Sequence, residues 1–317
     1  MYKPSQNDSI TDVAGIQVGH FTLADGEIQT GATAILPYPL SIRNRKLFIG
    51  SQAGNGWQEW SGLHVAQDFG TFSSPIVLCN STTVGIAYDA LISFGHQREK
   101  DLPIDNAWPP VVIGLDDGYL NDLRQRRVAH DDVLGLIHSA DSSAMPCGSV
   151  GVGRGLCAFG GKGGVGDAAR LCEIEGRHYR VGVFIAVNGG RAIGRDTTGS
   201  VTPSFITVVA TDAPCLPPQL RQLAEASLRM LDLKHLLLPA DQRLALAFST
   251  TNTIDGAFQE RFILFSEHWP APQMIAVLQE AIIECSHAAL RKALAQAQSV
   301  TGRRERTALP VDLKTLF

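Results

Sequence analysis

Long apolar runs are missing from this 317-residue chain, and the longest stop far short of the ~20 residues that a membrane-spanning helix needs. A surplus of one charge is missing too. The 27 Lys and Arg against 31 Asp and Glu leave a formal charge of −4 and an isoelectric point near 6.1, which gives no basic field for a nucleic acid. The opening MYKPSQNDSI is polar and has no apolar core, so no signal peptide is read there and a soluble, cytoplasmic protein is expected. Cysteine is sparse and scattered. Cys79, Cys147, Cys157, Cys172, Cys215 and Cys285 form no CxxC pair and read as buried, reduced thiols, neither a metal site nor a disulfide frame. The Asn80-Ser81-Thr82 sequon carries no weight in a chain that is not exported. HExxH is absent, and His130-Asp131-Asp132 has no second ligand set at a suitable spacing, so no metal is expected. GxSxG is absent as well, which removes the nucleophile elbow, although Ser, His and Asp are all available for a triad of another kind.

What is present suits a compact enzyme. The chain is 44% hydrophobic and 18% charged, enough to bury a large core in one big domain or two small ones. No charge block, low-complexity linker or repeat marks a boundary, so residues 1–317 are read as a single domain. Strand-like runs recur at 31–36, 75–79, 109–113, 181–187, 205–210 and 244–249. Helical periodicity is clearest at 218–232 and 273–298; in the latter Met274, Val277, Leu278, Ala281, Ile282 and Cys285 share a stripe that predicts a helix packed on a sheet. The prolines at 103, 109 and 110 predict a surface loop.

The glycine-rich segment 148–170 invites a phosphate-site reading that its spacing rejects. A P-loop needs a glycine five residues before the Gly-Lys pair, where Leu156 stands, and Ser or Thr after the lysine, where Gly163 stands. The dinucleotide fingerprint fails on spacing as well. Close backbone approach and tight turns near a site are the expectation for these glycines.

The segment PSFITVVATDAP, at 203–214, is the most informative one. Its Phe205–Val209 run is β-branched and aromatic, and Asp212, Pro214 and Pro217 end the strand and start a helix. Ser204 is thereby placed at the first residue of a buried strand, either as a plain strand-start serine or as something more. If the bond before it were cut, nucleophile and base would sit on one residue, because an α-amine titrates near neutrality. Asn188, in AVNGG at the end of the run 181–187, reads both as an Asn-Gly turn former and as a donor for an oxyanion.

Blocks along nearly the whole chain resemble the self-processing aminopeptidase family, peptidase family S58, which includes L-aminopeptidase/D-amidase/esterases and β-peptidyl aminopeptidases. They run from SITDVAGIQVGH (9–20) and TGATAILP (30–37) through the glycines of Gly54–Gly56, SSPIVLCNSTTVGIAYDAL (73–91) and VVIGLDDGYLND (111–122). They continue with GSVGVGRGLCAFGGKGGVGDAAR (148–170), VFIAVNGG (183–190), the Ser204 segment, LALAFSTTN (244–252) and LQEAIIECSHAALRKALA (278–295). The resemblance implies a four-layer αββα sandwich of the N-terminal-nucleophile type, in the α/β (α+β) class. It implies autoproteolysis before Ser204 into residues 1–203 and 204–317, with Asn188 as the oxyanion donor. A small peptide, amide or ester is then the substrate, no cofactor is needed, and a homo-oligomer is expected with neither nucleic acid nor membrane as partner.

Three departures from the family pattern bear on the site. Pro203 stands where a small residue usually precedes the nucleophile, and Gly199-Ser200 supplies a more ordinary dipeptide upstream, with Ser200 as second choice. Asp241, Gln242 and Arg243 occupy the place of a Ser-Gly-Asp/Glu triplet; Asp241 is the candidate to hold the terminal ammonium, and Arg243 cannot replace a carboxylate. Gly114 takes the place of a glutamate that grips the substrate's amine, and Asp116, two residues on, is the candidate to supply that carboxylate on the same strand face. Tyr119 and Asp122 read as architectural, and His20 and His64 as core or structural histidines. Two alternatives stand beside the hydrolase: an acyltransferase of the ornithine-acetyltransferase kind, and an unprocessed, silent paralogue acting as a binding subunit.

Overall fold

The β-branched runs become strands; the longer strands sort into two large sheets, and Cys157–Ala158 with Gly161–Lys162 and Val300–Thr301 with Thr307–Ala308 make two small hairpin sheets. The computed structural model describes residues 1–37, 45–54, 59–99, 109–192, 204–229, 241–255 and 272–316. In chain order its strands are β1 (Tyr2–Pro4), β2 (Gln17–Asp25), β3 (Ile28–Leu36), β4 (Arg45–Gly54), β5 (Trp60–Ser61), β6 (Thr71–Phe72), β7 (Ile76–Asn80) and β8 (Val111–Leu115). They go on with β9 (Cys157–Ala158), β10 (Gly161–Lys162), β11 (Gly164–Ile174), β12 (Arg177–Asn188), β13 (Ser204–Thr211) and β14 (Gln242–Asp255). The helices are α1 (Leu63–Phe69), α2 (Val84–Arg98), α3 (His130–His138), α4 (Pro217–Leu228) and α5 (Pro272–Ala295).

One sheet runs β1-β11-β12-β13-β14-β4-β6 and the other β2-β3-β7-β8-β5. Neighbours pair antiparallel except β13 with β14 and β7 with β8, which are parallel. Alternation along the strands fills three apolar layers. Val183, Ile185, Val187, Phe205, Val209, Ala245 and Ala247 face α4 and α5. Phe184, Ala186, Ile206, Val208, Leu244 and Leu246 face the space between the sheets, where they meet Ile35, Ile76 and Ile113 of the second sheet. Ala34, Val77 and Val112 face α2 and α3. Helices, sheet, sheet and helices make the αββα sandwich that was expected.

The predicted stripe of α5 is buried at Met274, Leu278, Ala281, Ile282 and Cys285 and half-buried at Val277. The glycine-rich segment shows the expected close backbone approach, with left-handed turns at Gly148, Gly151 and Gly160. Its second half is β11, a strand that pairs with β12 along its length and with β1 at residues 170–172. Glycine makes that possible, because a Cβ on Gly166 would collide with the Ala289 carbonyl and the Ala293 backbone, so α5 lies directly on the strand. Pro103 lies outside the described residues, while Pro109 is half-buried and the buried Pro110 leads straight into β8. All six cysteines are buried and free. Among the described residues no helix is long and apolar enough to cross a membrane.

Candidate active site

Strand register brings three polar residues together at one end of the inter-sheet space. Ser204, the first residue of β13, stands opposite Asn188 of β12 on one side and opposite Gln242 of β14 on the other. Partners in register point to the same face. Asn188 follows Phe184 and Ala186, Ser204 precedes Ile206 and Val208, and Gln242 precedes Leu244 and Leu246, so all three project between the sheets.

Asn188 is fully buried and held from two directions. Its Oδ1 accepts the Cys157 backbone N–H at 3.0 Å, and its Nδ2 donates to the Asp116 carbonyl at 2.9 Å. These bonds fix which way the amide points, since exchanging O and N would set N–H against N–H. The turn reading holds as well: Gly189 and Gly190 follow with φ of 96° and 83°, the left-handed region that favours glycine.

Ser204 is fully buried, and its Oγ has no hydrogen-bond partner among the described residues. Gln242 is 1% exposed, and its Oε1 has none among them either. Asp241, next to Gln242 in the chain, is equally buried. Arg243 pairs with Phe205, and so shares the sheet face turned to α4 and α5, away from Ser204. Pro203 and Ser200 lie outside the described residues.

The second-sheet candidates divide. Gly114 alternates with Val112 on the outer face, where a Cβ would lie 3.0 Å from Val84 Cγ2 and 3.1 Å from Ser81. A side chain there would point toward the α2 layer and not toward Ser204, so Gly114 is not a lining residue. Asp116 does reach the site, by its backbone. Strand β8 ends at Leu115, so the alternation linking Asp116 to Gly114 stops short of it. Its Oδ1 caps the turn by accepting the Gly118 N–H at 2.9 Å, while its carbonyl takes the Asn188 amide.

Behind Asn188 lies a buried polar scaffold that the sequence did not announce. Asp117 accepts from Thr30 Oγ1 at 2.5 Å, Asn121 Nδ2 at 3.1 Å and Asn80 Nδ2, and burial pushes its carboxyl up to about 6. Lys162 is fully buried and donates from Nζ to the carbonyls of Gly153, Leu156 and Gly163 at 2.7, 2.7 and 2.8 Å. Burial pushes this lysine down to about 7, yet three carbonyl acceptors call for three N–H donors, so the ammonium is the form the loop is built around. It ties down the loop whose Cys157 N–H holds Asn188. The Asn80 amide, being spent on Asp117, is closed to glycosylation. His20 is a core histidine, 2.9 Å from Thr33 Oγ1 and lowered to about 4 by burial. Tyr119 packs under the Arg306 guanidinium at 4.8 Å, and Asp122 grips Arg124 at 2.9 Å, both architectural. No cluster of three or more metal-ligating side chains occurs among the described residues.

Similarities to known proteins agree with this arrangement. The family model described as "Peptidase family S58" matches residues 8–308. The β-peptidyl aminopeptidase BapA of Sphingosinicella microcystinivorans is 33% identical over 70% of this chain, and the chain spans 65% of that relative's length. The solved PH0078 protein of Pyrococcus horikoshii OT3 superposes with a TM-score of 0.89 at 30% identity, covering 100% of this chain and 94% of its own. The L-aminopeptidase D-Ala-esterase/amidase of Ochrobactrum anthropi, described as a new variant among the Ntn hydrolase fold, superposes with a TM-score of 0.86 at 26% identity, covering 99% and 93%. The two-sheet sandwich is thus shared with a structure described as an Ntn hydrolase fold. The chain belongs to peptidase family S58.

Proposed function

We propose that the chain cuts itself before Ser204 and then works as an aminopeptidase or amidase with Ser204 as nucleophile and base. The observation that carries this reading is the buried, unpartnered Ser204 hydroxyl in register with Asn188. In the first step Ser204 Oγ adds to the carbonyl carbon of residue 203, the C–N bond breaks, and the resulting ester is hydrolysed by water to leave a free α-amine. In turnover the hydroxyl proton passes to that amine as the C–O bond forms, and Asn188 Nδ2 donates to the oxyanion. The amine returns the proton to the leaving nitrogen, and water releases the acyl group. No step calls for a cofactor.

The fragments 1–203 and 204–317 stay joined in this scheme, because β13 is hydrogen-bonded to β12 of the first and β14 of the second. Small peptides, amides or esters are the proposed substrates, as the names of the relatives suggest. Asp116 is the proposed carboxylate for a substrate ammonium, given the place of its backbone beside Asn188. A cytoplasmic homo-oligomer is the proposed setting; six free, buried thiols fit a reducing compartment. The test is hydrolysis of α- and β-aminoacyl amides and their N-acetyl forms by wild type, Ser204→Ala and Asp116→Asn. Turnover lost in Ser204→Ala, and a preference for the free amine lost in Asp116→Asn, is the expected outcome; equal turnover by Ser204→Ala overturns the reading.

A further inference from the structure

Gln242 has no role in the scheme above, yet its surroundings are unusual for a glutamine. It is 1% exposed, its Oε1 has no hydrogen-bond partner among the described residues, and it stands in parallel register with Ser204 on the same sheet face. Adjacent strands lie about 4.8 Å apart, so an amide side chain from one reaches the backbone nitrogen and side chain of its neighbour. An orphaned buried carbonyl costs stability, which is tolerated where another state of the molecule relieves it. Scission before Ser204 creates such a state. The nitrogen of Ser204 carries one hydrogen as an amide, two as an amine and three as an ammonium, and the added hydrogens need acceptors at this buried strand end.

We propose that Gln242 is a positioning residue whose Oε1 accepts a hydrogen bond from the α-amine of cleaved Ser204 and turns the lone pair of that amine toward the Ser204 hydroxyl. This rests on the N-terminal-nucleophile reading of Ser204. An uncharged acceptor in this place has a functional consequence. It orients the amine without the strong upward pull on its proton affinity that a carboxylate would exert, so the amine stays available as a base near neutral pH. The charged groups near this end of the sheet, among the described residues, include Asp241 beside Gln242, Asp116 and Asp117 beyond β8, Lys162 in the glycine-rich loop with Arg154 near it, Arg191 just past Asn188, and Arg243 on the opposite face. They are common to wild type and variants, so a difference between the two reports Gln242.

The test is the pH profile of kcat/KM on an aminoacyl amide for wild type, Gln242→Glu and Gln242→Met, each first shown by intact mass to be cleaved before Ser204 and by melting to be folded. A carboxylate beside the amine raises its proton affinity, so Gln242→Glu is expected to move the acid limb up by about 1 pH unit or more. Gln242→Met removes the acceptor, and should lower kcat about tenfold at unchanged KM with the limb at or below its wild-type position. Opposite movements of the limb are the signature, which loss of packing does not produce. Unchanged limbs in both variants of a properly cleaved enzyme overturn the role of Gln242 alone. A wild-type chain that is not cleaved before Ser204 overturns the underlying reading, and the role of Gln242 with it.

Discussion

Two buried polar regions lie within one small part of this molecule, and they are built on opposite terms. Around Asp117 and Lys162 the buried charges are matched, the carboxylate by Thr30, Asn80 and Asn121 and the ammonium by three backbone carbonyls. Around Ser204 the match fails, and among the described residues Ser204 Oγ and Gln242 Oε1 are buried with nothing to bond. Satisfied polar clusters fix a shape, whereas a buried orphan costs stability that only another state or ligand returns. Asn188 joins the two: the loop pinned by Lys162 holds its Oδ1, while its β-strand register sets it against Ser204. In the proposed scheme the first region is scaffold, and the second is where bonds change.

That division is broken most sharply at Ser204. Ser204→Ala should leave one uncleaved chain with no turnover and a melting temperature no lower than that of uncleaved wild type, since it removes an orphaned hydroxyl. Next comes Asn188→Ala, expected to lower kcat by about 10²–10³-fold in steady-state assays, the usual effect of losing an oxyanion donor. Lys162→Met tests the scaffold: stripping three carbonyls of their donor should cost about 3 kcal/mol by denaturant titration, more than any change at Gln242. The smallest effect is a pH dependence. Burial raises Asp117 from 3.8 to about 6, so between those values the fold keeps a proton that the unfolded chain has lost. Stability therefore falls as pH rises through that window, by about 2–3 kcal/mol for this group, and Asp117→Asn should flatten the slope.

Much of this was legible in the sequence, for identifiable reasons. The runs at 181–187, 205–210 and 244–249 are apolar and rich in β-branched or alternating residues, and they became β12, β13 and β14. Strand β11 was not legible, because GVGDAARLCEI lacks alternation and has only two β-branched residues, Val165 and Ile174, while its glycines let α5 lie directly on it. Ser204 and Asn188 were named from residue type and resemblance, but their pairing is a fact of register. Gln242 was placed within the Asp241-Gln242-Arg243 triplet and given no role. Parallel pairing of the two apolar runs that flank it and Ser204 was the one available signal, and sequence alone does not set that register. Gly114 misled for a related reason: resemblance supplied its position, while strand alternation decides the face, and that face is the outer one.

Intact mass and N-terminal sequencing of the purified wild-type protein test the central claim most directly. The account predicts two associated fragments, the second beginning Ser-Phe-Ile at residue 204, and a single 34.1 kDa chain for Ser204→Ala. An intact wild-type chain that turns over substrate, or fragments that begin at another residue such as Ser200, would contradict it.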